Sequence, residues 1–419
     1  MIARTNRKMA MVLALSLILS LLATACGSTQ PPSGATGPSQ QTKETVKIGF
    51  FFPLSGSSAD VGEMCLNAGK LAVEDINKAG GIKALGGAQV ELVVQDTTSD
   101  PKDAVTAVER VLSSKKLAGA AGMALSPLTS ACLPVIEKHQ VPLVTTSIAD
   151  QLTSQGYRYI FQIAPKGSHF GQTQVNFLTF LNTKYNLNLK KAAIVFEDSP
   201  YGTSTATGVK ATAEKAGLTV VLNTAYPRGI TNAAPLVEKI KQSGAQVLFP
   251  VSYTTDAELI MTALSLAGVK PLIIGGGAGF IWPAIGKDLG DKVNGLFSVA
   301  SCNWDSKNAL QEPLRSIPQR YKERYGTFMP EQAVETYASI WVLAAGIEAA
   351  KSTDPQKVRD ALAQIEITSG PATIMQPGRI KFDNTGFNQY VHPVMIQWQK
   401  GEPHTVFPEE DASVQVIKP

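Results

Sequence analysis

Val46-Lys47-Ile48-Gly49-Phe50-Phe51-Phe52 is a seven-residue run rich in β-branched and aromatic side chains, stopped by Pro53-Leu54-Ser55-Gly56 and followed by a longer amphipathic stretch over 61–78. A short apolar strand leading into a helix is the unit of a parallel sheet crossed by helices. The unit recurs. Strand-like runs span 46–52, 90–95, 117–122, 142–146, 192–197, 219–222, 247–251, 271–274 and 295–299, with helical stretches at 61–78, 102–114, 128–138, 171–185, 202–216, 233–242, 256–267 and 282–288. Local chemistry supports several starts. Asp100-Pro101 and Asp354-Pro355 each place a capping acid before a Pro whose missing N–H costs nothing at the first helical position. Thr255-Asp256-Ala257-Glu258 reads as a capping box opening a helix at Asp256.

About four such units precede Gln162 and about four follow it, which predicts two doubly wound α/β lobes. Helical stretches at 308–325, 332–351 and 356–363 then come without strands between them, and 380–383 and 391–398 form a strand-rich tail. If the late helices complete the first lobe and the tail completes the second, residues 45–164 plus 300–374 make one lobe and 165–299 plus 375–419 the other. The chain then crosses between lobes more than once, giving a cleft with a hinge.

The chain has 419 residues, long enough for more than one sizeable core, and 44% hydrophobic against 17% charged residues is a globular balance. The formal charge is +4, and removing Arg4, Arg7 and Lys8 with the first 25 residues leaves +1, so nothing concentrates the protein on nucleic acid. Those three cations precede the apolar run Met9 to Ala25, which ends in small residues before Cys26. This is the pattern of a secretory signal over 1–25, with an uncleaved anchor as the other reading; both export the remainder. Leu21-Leu22-Ala23-Thr24-Ala25-Cys26 resembles the lipobox of bacterial lipoproteins, with Ala23 where the usual Leu stands. That resemblance implies acylation of Cys26, and two or more acyl chains anchor a protein stably without spanning the bilayer. The rest of 26–44, rich in Gly, Ser, Thr, Pro and Gln, is expected to be a disordered tether. Cys65, Cys132 and Cys302 remain, an odd number that allows one disulfide or none.

The opening run, with Asn67-Ala68-Gly69 and Asp75-Ile76-Asn77-Lys78-Ala79-Gly80-Gly81-Ile82, resembles the start of the leucine/isoleucine/valine-binding protein family, type I periplasmic solute receptors of ABC importers. The resemblance continues through Asp96-Thr97-Thr98-Ser99-Asp100-Pro101, Val141-Pro142-Leu143-Val144, Asp198-Ser199-Pro200-Tyr201-Gly202 and Thr336-Tyr337-Ala338. It implies the type I periplasmic binding protein fold, with three hinge crossings, expected here near 163–166, 299–303 and 372–376. A ligand closes such a hinge only through extra contacts made in the closed state.

From the fold alone, a ligand belongs at the carboxyl ends of the strands, where helix N-termini favour anions. Gly122-Met123-Ala124-Leu125-Ser126-Pro127-Leu128-Thr129, a strand end running into a helix start, is the best cradle, with a plain helix cap as the alternative role of Ser126. By resemblance, Ser126 and Thr129 bind a ligand carboxylate and Ser147, Ile148 and Ala149 complete the site, although this loop is one residue shorter than the family's. Tyr201 and Tyr253 match positions that close over the ligand. Gly277 in Gly275-Gly276-Gly277-Ala278-Gly279-Phe280 is the departure: amino-acid binders carry an acid there that pairs with the α-ammonium. Either another acid substitutes, Asp198 and Asp256 being nearest in sequence, or the ligand has no amine; the glycines also leave room for a larger ligand on which Phe280 or Trp304 would stack.

Enzyme motifs are missing. Phe280 stands where the dinucleotide fingerprint needs a third glycine, and the chain has no Walker A lysine motif, HExxH or GxSxG. His139, His169, His392 and His404 are scattered rather than at metal-ligand spacing. The expectation is a monomeric, lipid-anchored extracytoplasmic receptor without enzyme activity, cofactor, metal or nucleic acid, passing an amino acid or related carboxylate to an ABC permease. The other reading is a sensory receptor of the same fold that binds an amide or organic acid and signals to a protein partner.

Overall fold

The structure is a computed structural model and describes residues 45–419. The signal at 1–25, Cys26 and the tether lie outside the described residues. The chain opens with β1 (Val46–Phe52), α1 (Ala59–Lys78), β2 (Val90–Asp96), α2 (Pro101–Ser114), β3 (Gly119–Gly122), α3 (Ser126–His139), β4 (Leu143–Thr145) and β5 (Ile160–Gln162). These strands form a parallel sheet in the order β2-β1-β3-β4-β5. A second set follows: α4 (Gly167–Tyr185), β6 (Lys191–Glu197), α5 (Pro200–Lys215), β7 (Thr219–Tyr226), α6 (Ala234–Ser243), β8 (Val247–Val251), α7 (Thr254–Leu266), β9 (Leu272–Gly275), α8 (Pro283–Leu289) and β10 (Phe297–Ala300). Then come α9 (Ser316–Tyr325), α10 (Glu331–Ala350), α11 (Pro355–Gln364), the short pair β11 (Glu366–Ile367) and β12 (Ile380–Lys381), and finally β13 (Val394–Gln399) and β14 (Glu402–Phe407). The second sheet runs β14-β13-β10-β9-β8-β6-β7, with β13 antiparallel to both of its neighbours β10 and β14 and the remaining pairs parallel. Two parallel-cored sheets with helical crossovers are the α/β architecture that the strand–helix alternation predicted.

Buried strands account for the apolar runs. β3 and β8 are buried along their whole length and β1 at all but Lys47, as expected of parallel strands covered on both faces. Helix α10 belongs with the first sheet: it packs along α1, and Tyr337 on it donates to Asp75 of α1 at 2.7 Å. Arg320 of α9 grips the same carboxylate through two nitrogens at 2.7 Å each. Burial pushes the Asp75 acid up, but these bonds outweigh it and hold it below the usual range. The stability they bring is therefore present at neutral pH and lost as acid reprotonates Asp75. In the second lobe, α4 and α5 touch backbone to backbone. A Cβ on Gly208 would lie 2.2 Å from the Ser168 carbonyl, and one on Gly171 would lie 2.2 Å from the Val209 nitrogen.

Asp100 and Asp354 cap their helices as expected, accepting from Lys102 N and Asp103 N, and from Lys357 N. Three local expectations change. The capping box at Asp256 does not form; α7 starts at Thr254, and the Asp256 carboxylate accepts the Gly229 N–H at 3.0 Å. The helix expected from 308 begins only at Ser316, because the Asn308 amide is committed to the carbonyls of Thr373, Ile374 and Met375 and Pro313 has no N–H to give. The third passage between sheets comes later than 372–376: Phe382 packs edge-on against Phe161 and Asn388 N donates to the Gln162 carbonyl, so the chain stays on the edge of the first sheet up to that point. β14, not anticipated as a separate strand, is turned back onto β13 by Lys400 and Gly401, both at positive φ.

Cys65, Cys132 and Cys302 are all free and buried, which decides between the two sequence readings of the thiols. Cys65 donates to the Gln332 carbonyl and Cys302 to the Glu331 carbonyl. Burial raises all three thiols, Cys132 to about 12. In the folded body from residue 43 onward, none of the three should react with an aromatic disulfide reagent at pH 8, and all three should react after denaturation. Rapid labelling of the native protein would contradict this placement.

Candidate functional site

The carboxyl ends of the two sheets face one cleft, and its walls come from both. β3 ends at Gly122 and the chain turns through Met123 to Leu125 into α3, whose first residue is Ser126. The Ser126 hydroxyl accepts the backbone N–H groups of Ile148 and Ala149 at 3.3 and 3.2 Å. This serine therefore joins the α3 start to the loop after β4, where the sequence placed the anion cradle. Across the cleft stand Tyr201, in the first turn of α5, and Tyr253, just before α7, with ring centroids 4.9 Å apart. The Tyr201 hydroxyl donates to the Gly276 carbonyl at 2.7 Å, and the Arg228 guanidinium covers Tyr253 at 4.9 Å. Burial pushes both phenols up, so they stay protonated donors at neutral pH.

Of the predicted residues, Ser126, Ile148, Tyr201 and Tyr253 line one cavity of about 20 Å³. That is room for about one water, so admission of a solute requires the sheets to part. Thr129 and Ser147 do not line it: their hydroxyls lie 2.7 Å apart, both also bond the Met123 carbonyl, and they brace the loop from behind. Ala149 contributes its N–H to Ser126, and its side chain is fully buried.

Gly277 is not on the wall either. Its φ is +95°, and a Cβ there would meet the Phe170 ring at 3.0 Å. Phe170, on α4, fills the space an acid would need and itself lines the cavity. Neither acid offered from the sequence replaces it: Asp198 is exposed, and Asp256 is tied to Gly229 N in a side chamber of about 90 Å³ beside Arg228. Phe280 is buried beneath Gly275, and Trp304 sits against His404 with its N–H on the Pro403 carbonyl, so neither stacks in the cleft.

Besides Phe170, sequence reasoning missed Thr146, Trp282, Glu331 and Gln332 on the wall. Thr146, next to the predicted Ser147, lines the cavity with a buried hydroxyl that has no partner among the described residues. Trp282, before α8, brings its ring from the second lobe and donates to Gln332 of α10 at 2.6 Å. Glu331, the first residue of α10, accepts from Ser301 N at 2.7 Å and from the Gln332 amide at 2.6 Å. Its only sequence signal was an acid opening an otherwise apolar helix. Burial raises the Glu331 carboxyl above its usual range, and burial followed by repulsion from Glu331 raises Glu335 one turn behind it. No described group of three or more His, Cys, Asp or Glu could hold a metal, and no described helix is long and apolar enough to cross a membrane.

Comparisons with known proteins match this architecture. A curated relative named Leu/Ile/Val-binding protein homolog 8 from Brucella melitensis is 30% identical over 378 residues, covering 88% of this chain and 91% of the relative. The branched-chain amino acid transporter substrate-binding protein LivJ of Streptococcus pneumoniae, solved in complex with isoleucine, superposes with a TM-score of 0.74 at 23% identity, covering 87% of this chain and 100% of that one. An ABC transporter solute-binding protein of R. palustris, solved in complex with benzoate, superposes with a TM-score of 0.74 at 18% identity over 90% and 99% of the two chains. With two α/β sheets facing a shared cleft, and with the family model described as periplasmic binding protein matching residues 45–402, the chain belongs to the periplasmic binding proteins of the leucine/isoleucine/valine-binding type.

Proposed function

We propose that the protein is an extracytoplasmic solute receptor of an ABC importer that captures a small carboxylate, an amino acid in the first instance, between its two sheets. The observation that supports this reading most is the convergence of Ser126, the Ile148 and Ala149 amides, Thr146, Tyr201 and Tyr253 on one buried cavity. In the closed protein the Ser126 hydroxyl accepts two N–H groups, and an entering carboxylate takes over that pair while receiving the serine O–H and the Thr146 O–H. The tyrosines and Phe170 then cover the apolar part of the ligand. Relatives of this fold are solved with an amino acid and with an amine-free aromatic acid, so wall residues rather than fold set the choice. The basic start, the apolar run and Cys26 in the sequence support attachment through an acylated Cys26 to the membrane that would hold the permease.

The test is calorimetric titration of the body from residue 43 with the twenty L-amino acids and with monocarboxylic acids lacking an amine. Saturable binding of at least one is expected, and none by any would overturn the receptor reading. Ser126→Ala should weaken a carboxylate ligand by about 1 to 3 kcal/mol, the loss of a hydrogen bond to a charged group. Unchanged affinity would leave Ser126 as a loop brace only.

A further inference from the structure

Resting on that receptor reading, we propose that Glu331 is the acceptor for a primary ammonium group of the ligand, making this an α-amino acid site whose acid comes from α10 of the first lobe. The usual position for such an acid is closed off: Gly277 has φ +95° and Phe170 stands 3.0 Å from where its Cβ would be. Glu331 is the one carboxylate among the cavity-lining residues, and no Lys or Arg lines that wall to neutralise it. An α-amino acid carries its carboxylate and ammonium on a single carbon. Ser126 and Glu331 line the same cavity, so a solute admitted as the sheets part meets both.

The geometry around Glu331 prepares it for this role. Each of its oxygens accepts one hydrogen bond, from Ser301 N and from the Gln332 amide, which leaves further lone pairs for a cation. The Gln332 side-chain oxygen Oε1 in turn accepts the Trp282 N–H at 2.6 Å. Trp282 belongs to the second lobe, so docking of that lobe fixes the amide that orients the acid. Closure and acid placement are thus one event.

Behind Glu331, both oxygens of Glu335 are buried with no hydrogen-bond partner among the described residues, the Ser301 hydroxyl being the neutral group nearby. The other titratable groups facing this pair are the Tyr201 phenol from α5, the Cys65 thiol from α1 and the Cys302 thiol following β10, all kept neutral by burial. Arg228 lies on the far side of Tyr253, in the side chamber. Burial without a cation keeps Glu331 and Glu335 protonated more than ordinary carboxyls. An arriving ammonium favours ionised Glu331 and expels its proton, so affinity for an amine ligand must fall on acidification.

The experiment compares each amino acid that binds with the acid bearing hydrogen in place of its amine, such as leucine with 4-methylpentanoate or phenylalanine with 3-phenylpropanoate. Calorimetry would be run on the wild type and on Glu331→Gln, at pH 7.5 and 5.5. The wild type is expected to prefer the amine at least tenfold, with the preference shrinking at pH 5.5. Glu331→Gln, which keeps an acceptor for Ser301 N, should lose the preference. The inference is overturned, with the receptor reading intact, if the wild type takes the amine-free acid equally well or if the variant keeps the preference. If the variant does not fold, equal wild-type affinities for the two acids still overturn the inference, and Glu331→Asp is read in its place, with a reduced preference expected and an unchanged one overturning it. Binding of neither class would overturn the receptor reading and this inference together.

Discussion

Gly208→Leu is expected to cost more than about 3 kcal/mol, enough to separate α4 from α5 and leave the second lobe poorly folded. The contact is reciprocal. A Cβ at Gly208 would stand 2.2 Å from the Ser168 carbonyl oxygen and 2.6 Å from its Cα, and one at Gly171 would stand 2.4 Å from the Thr205 carbonyl oxygen. These neighbours are backbone atoms, so no rotamer change relieves the clash, and the helices must part by an ångström or more. Separation would withdraw Phe170 of α4 from Gly277 and Gln174 from β9, whose Ile274 and Gly275 carbonyls the Gln174 amide bonds at 2.8 and 3.0 Å. Urea unfolding followed by circular dichroism is the measurement, with Lys210→Ala on the exposed face of α5 as the reference. A Gly208→Leu midpoint within error of that reference would refute backbone contact between the helices.

Trp282→Ala is expected to raise the dissociation constant of any bound solute by about 100-fold while moving the global unfolding midpoint far less. The ring is 2% exposed here, wedged between the lobes with its N–H on Gln332. Opening the cleft returns that ring to water. Its truncation therefore acts on the closed form, removing about 2 to 3 kcal/mol of apolar burial and about 1 kcal/mol of hydrogen bonding. A loss near 3 kcal/mol in the closure equilibrium appears as about two orders of magnitude in affinity. Small-angle scattering should also show a larger radius of gyration. Trp398→Ala, at a fully buried core position whose indole N–H bonds the Phe280 carbonyl, should show the converse: a large fall in the unfolding midpoint. Equal affinities for Trp282→Ala and wild type would mean that α8 takes no part in closure.

The strand–helix alternation was legible because each crossover buries one face, and parallel strands buried on both sides leave unbroken apolar runs such as Val247–Val251. The Asp-Pro caps were equally plain, being set by chemistry within four residues. What the sequence hid was long-range. Asn308 has the local context of a helix and is held out of one by carbonyls 65 to 67 residues away. Asp256 looked like a cap and is a partner for the loop at Gly229. The cleft divided in the same way. Ser126, Tyr201 and Tyr253 stand at element starts with recognisable flanks, whereas Glu331, Trp282 and Phe170 reach the cavity from segments far apart in sequence. An acid opening α10 carries no local mark of whether it faces water or a ligand.

The fit of Phe170 against Gly277 also constrains how this receptor's selectivity can be rewritten by descent. A side chain at position 277 meets both a ring at 3.0 Å and a backbone angle of +95°, so a lineage restoring a residue there must first trim the aromatic neighbour and then reshape the turn. Each intermediate would carry a void or strain before any benefit appeared. Shifts in diet should therefore arrive through α10 and the stretch before α8, where single substitutions alter the wall, and position 277 should be the last to change.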